Sequence, residues 1–427
     1  MKLSLRKIKA AFSTSETVRD VMILIFGTAI AQGITIIATP LLSRLYTPSD
    51  FGVLAVFLAV VGVSATLITL RYETAVLIPK EDIEAANLVL LCLTLASGSA
   101  TLLCLLSLFL PITLQEALHL TPLKGWLPFS FVVAGATAVT ITVQGLLNRQ
   151  RKYTQISKLR VVQSVGIAGV GLLFGYLPNH EYGLVLAQTI VCFCIALAAL
   201  WMVRSELKTW KQQRLFAVAY THQNAPKYLL PAALLDVVTL QMPVILISAW
   251  FGENMAGQFN MAWRLLMLPI VLVGSAVGQV FMQRLSIVKH DPAAAKKIIR
   301  KTWLLLMALG FLPLLTIFLY GESIFSIVLG GNWQKSGNLA SLMAPMVLAM
   351  FISSPTSGTY IIFGLQRFNL LFGILTAIYR PACLWIGKIF NSLEIAIILW
   401  NLLDIFTIIL YQTFTWKKLT QLSEYKQ

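Results

Sequence analysis

Apolar positions in this chain fall in long unbroken runs, and the stretches between them are short and collect nearly all the charge. Twelve runs have bilayer-crossing length, at 20–42, 51–70, 85–110, 126–147, 158–177, 183–203, 229–251, 258–283, 303–320, 338–364, 369–389 and 394–416. In hydrocarbon a backbone N–H or C=O finds no water, so each run must satisfy its own hydrogen bonds as a helix. The pattern predicts an all-α integral membrane protein with twelve transmembrane helices.

The bases orient those helices. Of 33 Lys and Arg residues, 27 fall before the first run, in alternate connections, or after the last. They include Lys2, Arg6, Lys7, Lys9 and Arg19 at the start, then Arg149, Arg151 and Lys152 after span four, and Lys208, Lys211 and Arg214 after span six. Arg284, Lys289, Lys296 and Lys297 follow span eight, and Lys417, Lys418 and Lys426 close the chain. Only Arg44, Lys124, Lys335 and Lys388 fall on the other side. Basic residues are retained on the cytoplasmic side, so both termini are expected there, in a plasma (inner) membrane. The net charge of +16 is thereby explained as topology and attraction to anionic lipid, and nucleic-acid binding is not expected.

Composition removes further classes. Cys92, Cys104, Cys192, Cys194 and Cys383 all lie inside apolar runs, where free Cys acts as a small hydrophobe, so neither a disulfide nor a metal site is predicted. His119, His180, His222 and His290 sit in connections and form no pair at ligand spacing. No phosphate-binding Gly-x-x-x-x-Gly-Lys-Ser/Thr loop occurs, so the chain is not expected to hydrolyse ATP, and no cofactor is predicted. The longest outward connections, around 111–125 and 321–337, hold only Glu116, His119, Glu322 and Lys335 as isolated charges. That is too little for an external catalytic domain, and the chain is read as not an enzyme.

The two halves echo each other weakly. Pro40 lies in span one, and the run Thr47-Pro48-Ser49-Asp50-Phe51-Gly52 turns into span two. Pro243 lies in span seven, and Phe251-Gly252-Glu253 through Gly257 turns into span eight. Thr47, Pro48 and Asp50 also have the chemistry of a helix start: a hydroxyl N-cap, Pro at the first helical position, and a carboxylate able to reach back. A second echo relates Gln144-Gly145-Leu146-Leu147-Asn148-Arg149 to Phe363-Gly364-Leu365-Gln366-Arg367. Two six-span lobes follow, 1–215 and 216–427, related by an internal repeat. Pro269, Pro313, Pro345, Pro355 and Pro381 each remove a helix hydrogen bond and permit a kink.

The stretch Ala38-Thr39-Pro40-Leu41-Leu42-Ser43-Arg44-Leu45-Tyr46-Thr47-Pro48-Ser49-Asp50-Phe51-Gly52, followed by Leu70-Arg71-Tyr72-Glu73-Thr74-Ala75, resembles the start of bacterial polysaccharide flippases of the Wzx type. Pro226-Lys227-Tyr228, Gly257-Gln258-Phe259-Asn260-Met261-Ala262-Trp263-Arg264 and Gly278-Gln279-Val280-Phe281 extend the resemblance to about residue 290. That family belongs with the multidrug and toxin extruders in one exporter superfamily. The resemblance implies a V-shaped pair of lobes around a positively charged central cavity and alternating access. It implies a cargo of undecaprenyl-pyrophosphate-linked oligosaccharide, for O-antigen, lipopolysaccharide or exopolysaccharide synthesis. Membrane lipid, a polysaccharide polymerase and a chain-length regulator are the partners it implies.

Four ionisable residues fall inside apolar runs: Asp236, Arg264, Arg380 and Asp404. Each costs on the order of 2.5–3.5 kcal/mol near a helix centre, so each must face protein or a water-filled cavity. Two readings stay open. The four form two structural ion pairs, or the arginines line a cationic cavity for pyrophosphate, whose geometry a guanidinium matches. Arg44 and Arg71 are the corresponding candidates in the first half, though both are close enough to a membrane surface to snorkel. Asp236 and Asp404 are candidates for ion coupling, set against the fact that an Asp paired with Arg stays ionised. The expected function is a flippase of lipid-linked glycan repeat units; a cation-coupled multidrug extruder and a membrane glycan polymerase or ligase are the alternatives.

Overall fold

The computed structural model describes residues 2–178, 181–209, 215–288, 291–356, 358–363 and 366–424. His180, Lys211, Arg214, Lys289, His290, Gly364, Leu365 and Lys426 lie outside the described residues. All regular structure among the described residues is helical, and twelve helices are long and apolar enough to cross a membrane. Spans one to six are Met22–Leu45, Pro48–Ile68, Asp82–Leu108, Leu127–Arg149, Tyr153–Gly175 and Gly183–Met202. Spans seven to twelve are Ala225–Phe251, Glu253–Ile287, Pro292–Leu329, Gly331–Thr356, Leu370–Ile389 and Leu393–Gln421. Large apolar side chains such as Ile37, Leu173 and Leu312 are left exposed, the reverse of a water-soluble surface and what a hydrocarbon solvent permits. The chain is a multi-pass membrane protein.

By internal packing the chain forms two compact units, Met1–Tyr46 with Val56–Gln241, and Thr47–Ala55 with Met242–Gln427. The changeover therefore falls inside span seven, and the first turns of span two pack with the second unit.

In the first unit span one lies against span five, span three against span four, and span six against both four and five. Small residues let these helices approach: a Cβ on Gly135 would come within 2.5 Å of the Ala100 methyl. Tyr46, 2% exposed, donates its hydroxyl to the Gly171 carbonyl at 2.8 Å and ties the end of span one to span five. The connection after span two turns on Leu70 and Arg71, both left-handed at φ 51° and 62°. It then packs Tyr72, Ala75 and Val76 against Leu88, Val143 and Leu147. Burial, with a smaller contribution from Cys92, pushes the Tyr72 phenol up, so it stays protonated and donates to the Ala219 carbonyl at 3.1 Å.

In the second unit span nine pairs with span ten, span eleven with span twelve, and span ten also packs on spans eight and twelve. The start of span two belongs here. The expected capping box forms: the Thr47 N–H donates to Asp50 Oδ2 at 2.8 Å, and the Asp50 N–H donates to Thr47 Oγ1 at 3.3 Å. Gly52 and Gly257, the two turn glycines of the sequence echo, meet backbone to backbone. A Cβ on Gly52 would stand 1.9 Å from the Glu253 carbonyl oxygen, and one on Gly257 1.8 Å from that of Pro48, so only Gly fits at either place.

The prolines break helices unequally. Pro269 ends one helical segment of span eight, and a five-residue π turn, Ile270–Gly274, follows before helix resumes at Ser275. Pro355 sits in a 3₁₀ turn that ends span ten, eight residues before the sequence reading had placed its end. The expected outward connection at 321–337 is not a loop. Helix runs from Pro292 to Leu329, with only Tyr320 non-helical (φ −126°, ψ 17°), and span ten begins at Gly331. The charges that suggested a loop are satisfied within the fold: Glu322 Oε1 accepts from Asn338 at 2.9 Å, and Lys335 pairs with Glu394.

Candidate functional site

Spans eleven and twelve form an antiparallel hairpin closed by a short turn at Asn391, which is left-handed at φ 55°. Arg380 precedes that residue by eleven positions and Asp404 follows it by thirteen, depths of roughly 16 and 20 Å at about 1.5 Å per residue. The hairpin therefore brings the two charges face to face in the middle of the spans. Arg380 Nη2 donates to Asp404 Oδ2 at 2.9 Å, and its Nε donates to Oδ1 at 3.3 Å. Tyr379, next to Arg380, donates its hydroxyl to Oδ1. Trp400, one helical turn before Asp404, donates its indole N–H to Oδ2 at 3.0 Å. The carboxylate, 2% exposed, thus accepts four hydrogen bonds.

The aromatic rings complete the setting. The Arg380 guanidinium carbon lies 5.2 Å from the centre of the Trp400 ring, within reach of a cation–π attraction. Trp400 in turn packs on Phe259 at 5.8 Å and on Trp263 at 5.6 Å, both from span eight. Arg380 is held from the side by Asp404 and from below by Trp400.

One edge of the guanidinium remains. Arg380 Nη1 has no hydrogen-bond partner among the described residues, and Arg380 lines a cavity of about 350 Å³ enclosed by spans eight, ten, eleven and twelve. Hydroxyl groups dominate its polar lining. Ser353, Thr376 and Thr407 each donate their hydrogen to a carbonyl three or four residues earlier on their own helix. The oxygens of Ser353 and Thr376 are left as acceptors, and the Thr407 hydroxyl lies against that of Tyr379. Tyr379, Tyr411 and Gln412 also line the cavity. The arrangement can donate to an anion through Arg380 and accept from neutral hydroxyl groups around it.

Of the residues singled out in the sequence, only Arg380 and Asp404 are brought together. Arg264 follows Trp263 on span eight, is exposed, and has no hydrogen-bond or ion-pair partner among the described residues. Asp236 is likewise exposed and has no such partner among them. Arg44 lies exposed in the last turn of span one. Arg71 pairs with Glu73 at 3.3 Å in the turn after span two; there Arg71 Nε and Glu73 Oε2 are buried without a hydrogen bond. His222, expected in a connection with no second His at ligand spacing, has a carboxylate partner, Glu84 Oε1 at 2.9 Å.

Tyr379, Trp400 and Glu73 were not singled out from sequence. The first two carried a legible signal: Tyr379 adjoins an intraspan Arg, and Trp400 precedes an intraspan Asp by one helical turn. Glu73 gave none, because its burial depends on the fold of the turn around it.

A family model described as polysaccharide biosynthesis protein matches residues 41–338. The succinoglycan biosynthesis transport protein ExoT of Rhizobium meliloti (strain 1021) is 23% identical over 394 residues, covering 89% of this chain and 76% of that protein. Among solved structures, an inward-facing multidrug resistance MATE family transporter of the MOP superfamily superposes with a TM-score of 0.65 at 12% identity, covering 94% of this chain and 99% of that one. A MOP superfamily transporter from Pyrococcus furiosus, described as having a binding pocket of reverse polarity, gives 0.51 at 14% identity, covering 95% of each chain. These structural likenesses show the fold.

Proposed function

Since the chain belongs to the polysaccharide biosynthesis protein family and has the fold of MOP superfamily transporters, we propose that it flips undecaprenyl-pyrophosphate-linked glycan repeat units across the inner membrane by alternating access, with both termini cytoplasmic. No bond is made or broken. The physical task is to carry a hydrated glycan and its phosphate charge through hydrocarbon, which demands a polar, cationic interior. The observation that carries the reading is the unpaired edge of Arg380, held in mid-span toward a hydroxyl-lined cavity. A guanidinium donor so placed suits a phosphate oxygen, and the surrounding oxygens suit sugar hydroxyls.

Asp404 acts as the positioning residue for Arg380. Its carboxylate accepts four hydrogen bonds, two of them from the guanidinium, and so fixes how that group is turned. Asp236, with no partner among the described residues, is a candidate for ion coupling alongside Asp404. Arg44, Arg71 and Arg264 are secondary candidates for contact with the cargo, and Arg264 has the stronger case because its donors have no partner among the described residues.

Complementation of a deletion strain tests the reading. The strain should accumulate single lipid-linked repeat units on the cytoplasmic leaflet, and the wild-type gene should clear them while Arg380→Gln does not. Drug sensitivity without accumulated repeat units would identify an extruder instead. Flipped but unpolymerised units would identify a polymerase.

A further inference from the structure

The Arg380 cavity does not end at its polar wall. Ser353, Ile408 and Gln412 also line a second space, an apolar cleft of about 470 Å³ between spans nine, ten and twelve. Trp303, Ala349, Ile352, Ile409 and Trp416 form its walls. The Trp303 and Trp416 rings lie 5.9 Å apart. Two polar groups of the lining are tied off, the Trp303 indole N–H and the Gln412 side-chain amide both donating to Thr356 Oγ1 at 3.2 Å, and Lys417 stands at the end of the cleft nearer the C-terminus. The Arg380 cavity, with its hydroxyl groups, and the apolar cleft are therefore adjoining compartments, with Gln412 at the junction.

We propose that this cleft holds the polyprenyl chain of the same substrate whose anionic head meets Arg380, a proposal that rests on the transport reading above. A site that is cationic and hydroxyl-rich at one end and apolar at the other fits an amphiphile with an anionic head. The depth of the head pocket selects which amphiphile. Arg380 is the eleventh of the twenty residues of span eleven, so a head bound there has left the membrane surface. A bulk phospholipid keeps its head at that surface. The cargo of a flippase is the lipid whose head is drawn to mid-membrane while its chain stays in apolar surroundings. The cleft also follows the half of span twelve nearer the C-terminus, from Ile408 to Lys417. With that end cytoplasmic, it faces the leaflet from which the cargo is loaded. The chain is then guided by protein next to the head instead of trailing freely in lipid.

The test uses the full-length protein with p-benzoylphenylalanine placed at Ile409, on the exposed lip of the cleft, or at Phe406, an exposed position on the same helix outside it. Each is reconstituted in phosphatidylethanolamine–phosphatidylglycerol vesicles with tritiated undecaprenyl pyrophosphate and irradiated. Labelling at Ile409 should saturate and be competed by unlabelled undecaprenyl pyrophosphate, and extra phosphatidylglycerol should leave it unchanged. Labelling at Phe406 should not saturate. Non-saturable labelling at both positions, or competition by phosphatidylglycerol, overturns the proposal.

Undecaprenyl pyrophosphate binding by the Arg380→Gln, Asp404→Asn pair, which leaves no buried charge unpaired, separates the two readings. Binding that weakens about tenfold in that variant, without saturable labelling at Ile409 in the wild type, removes the cleft and leaves the head site standing. Saturable labelling at Ile409 that is indifferent to the double substitution contradicts Arg380 as head anchor, and with it the joining of the two compartments. An Ala349→Trp substitution, which fills the cleft from span ten, should abolish the competed labelling; unchanged labelling counts against the proposal.

Discussion

Arg149 in the first unit and Arg380 in the second each reach an aspartate at 2.9 Å, yet their remaining donors have different fates. Arg149, at the end of span four, gives Nε and Nη2 to Asp82 and Nη1 to the carbonyls of Pro79 and Val76; Nη2 also reaches that of Lys80. It fastens the connection between spans two and three, and every nitrogen is occupied. Asp82, at 96% side-chain exposure, is an incidental partner beside those carbonyls. Arg380 faces an aspartate 2% exposed, uses Nε and Nη2, and keeps Nη1. A structural arginine is recognised by donors that are all used. A binding arginine is recognised by one edge fixed and one edge open.

Substitutions can break that contrast. The largest effect is expected from Arg380→Gln. It should abolish transport, scored as accumulated unflipped repeat units. It should also cost about 3–5 kcal/mol of stability, because Asp404 is left as an unpaired buried charge. Adding Asp404→Asn should restore most of the stability, read as the thermal midpoint in detergent, and none of the transport. If the double variant transports normally, the free edge of Arg380 has no role.

Arg149→Gln comes next. It should lower stability by about 1–2 kcal/mol through the orphaned carbonyls at Pro79 and Val76, while each folded molecule transports at the wild-type rate. Tyr379→Phe removes one of the four bonds to Asp404 and leaves Arg380 paired. A loss of about 1 kcal/mol and a transport defect of only a few-fold are expected, measured as the initial rate in vesicles. Asp82→Asn should be smallest, about 0–1 kcal/mol with no change in transport.

Most of the fold was legible in the sequence, because hydrocarbon leaves an apolar run only one way to satisfy its backbone. All twelve spans were found where the runs are. The expected end of span nine at 320 coincides with the non-helical Tyr320, but helix resumes beyond it; the partner of Glu322, Asn338, sits on the next span, and no local pattern announces it. The site was partly legible. Arg380 and Asp404 stood out as costly charges on consecutive spans, and a short turn between those spans makes their meeting nearly obligatory. Asp236 and Arg264 looked equivalent by the same reasoning, yet each is exposed, since which face a helix turns toward its neighbours is decided by packing. Arg149 was read as a topology charge and as the end of the second sequence echo, not as a fastener of the turn. The carbonyls it satisfies exist only once the turn after span two has folded.

The most direct measurement compares binding of undecaprenyl pyrophosphate with binding of undecaprenol, which has the same chain and no charge, to the wild type and to the Arg380→Gln, Asp404→Asn variant. If Arg380 anchors the head, the wild type should prefer the pyrophosphate by about tenfold or more, close to 1.4 kcal/mol, and the variant should bind the two alike. An equal preference in both proteins would contradict the anchor.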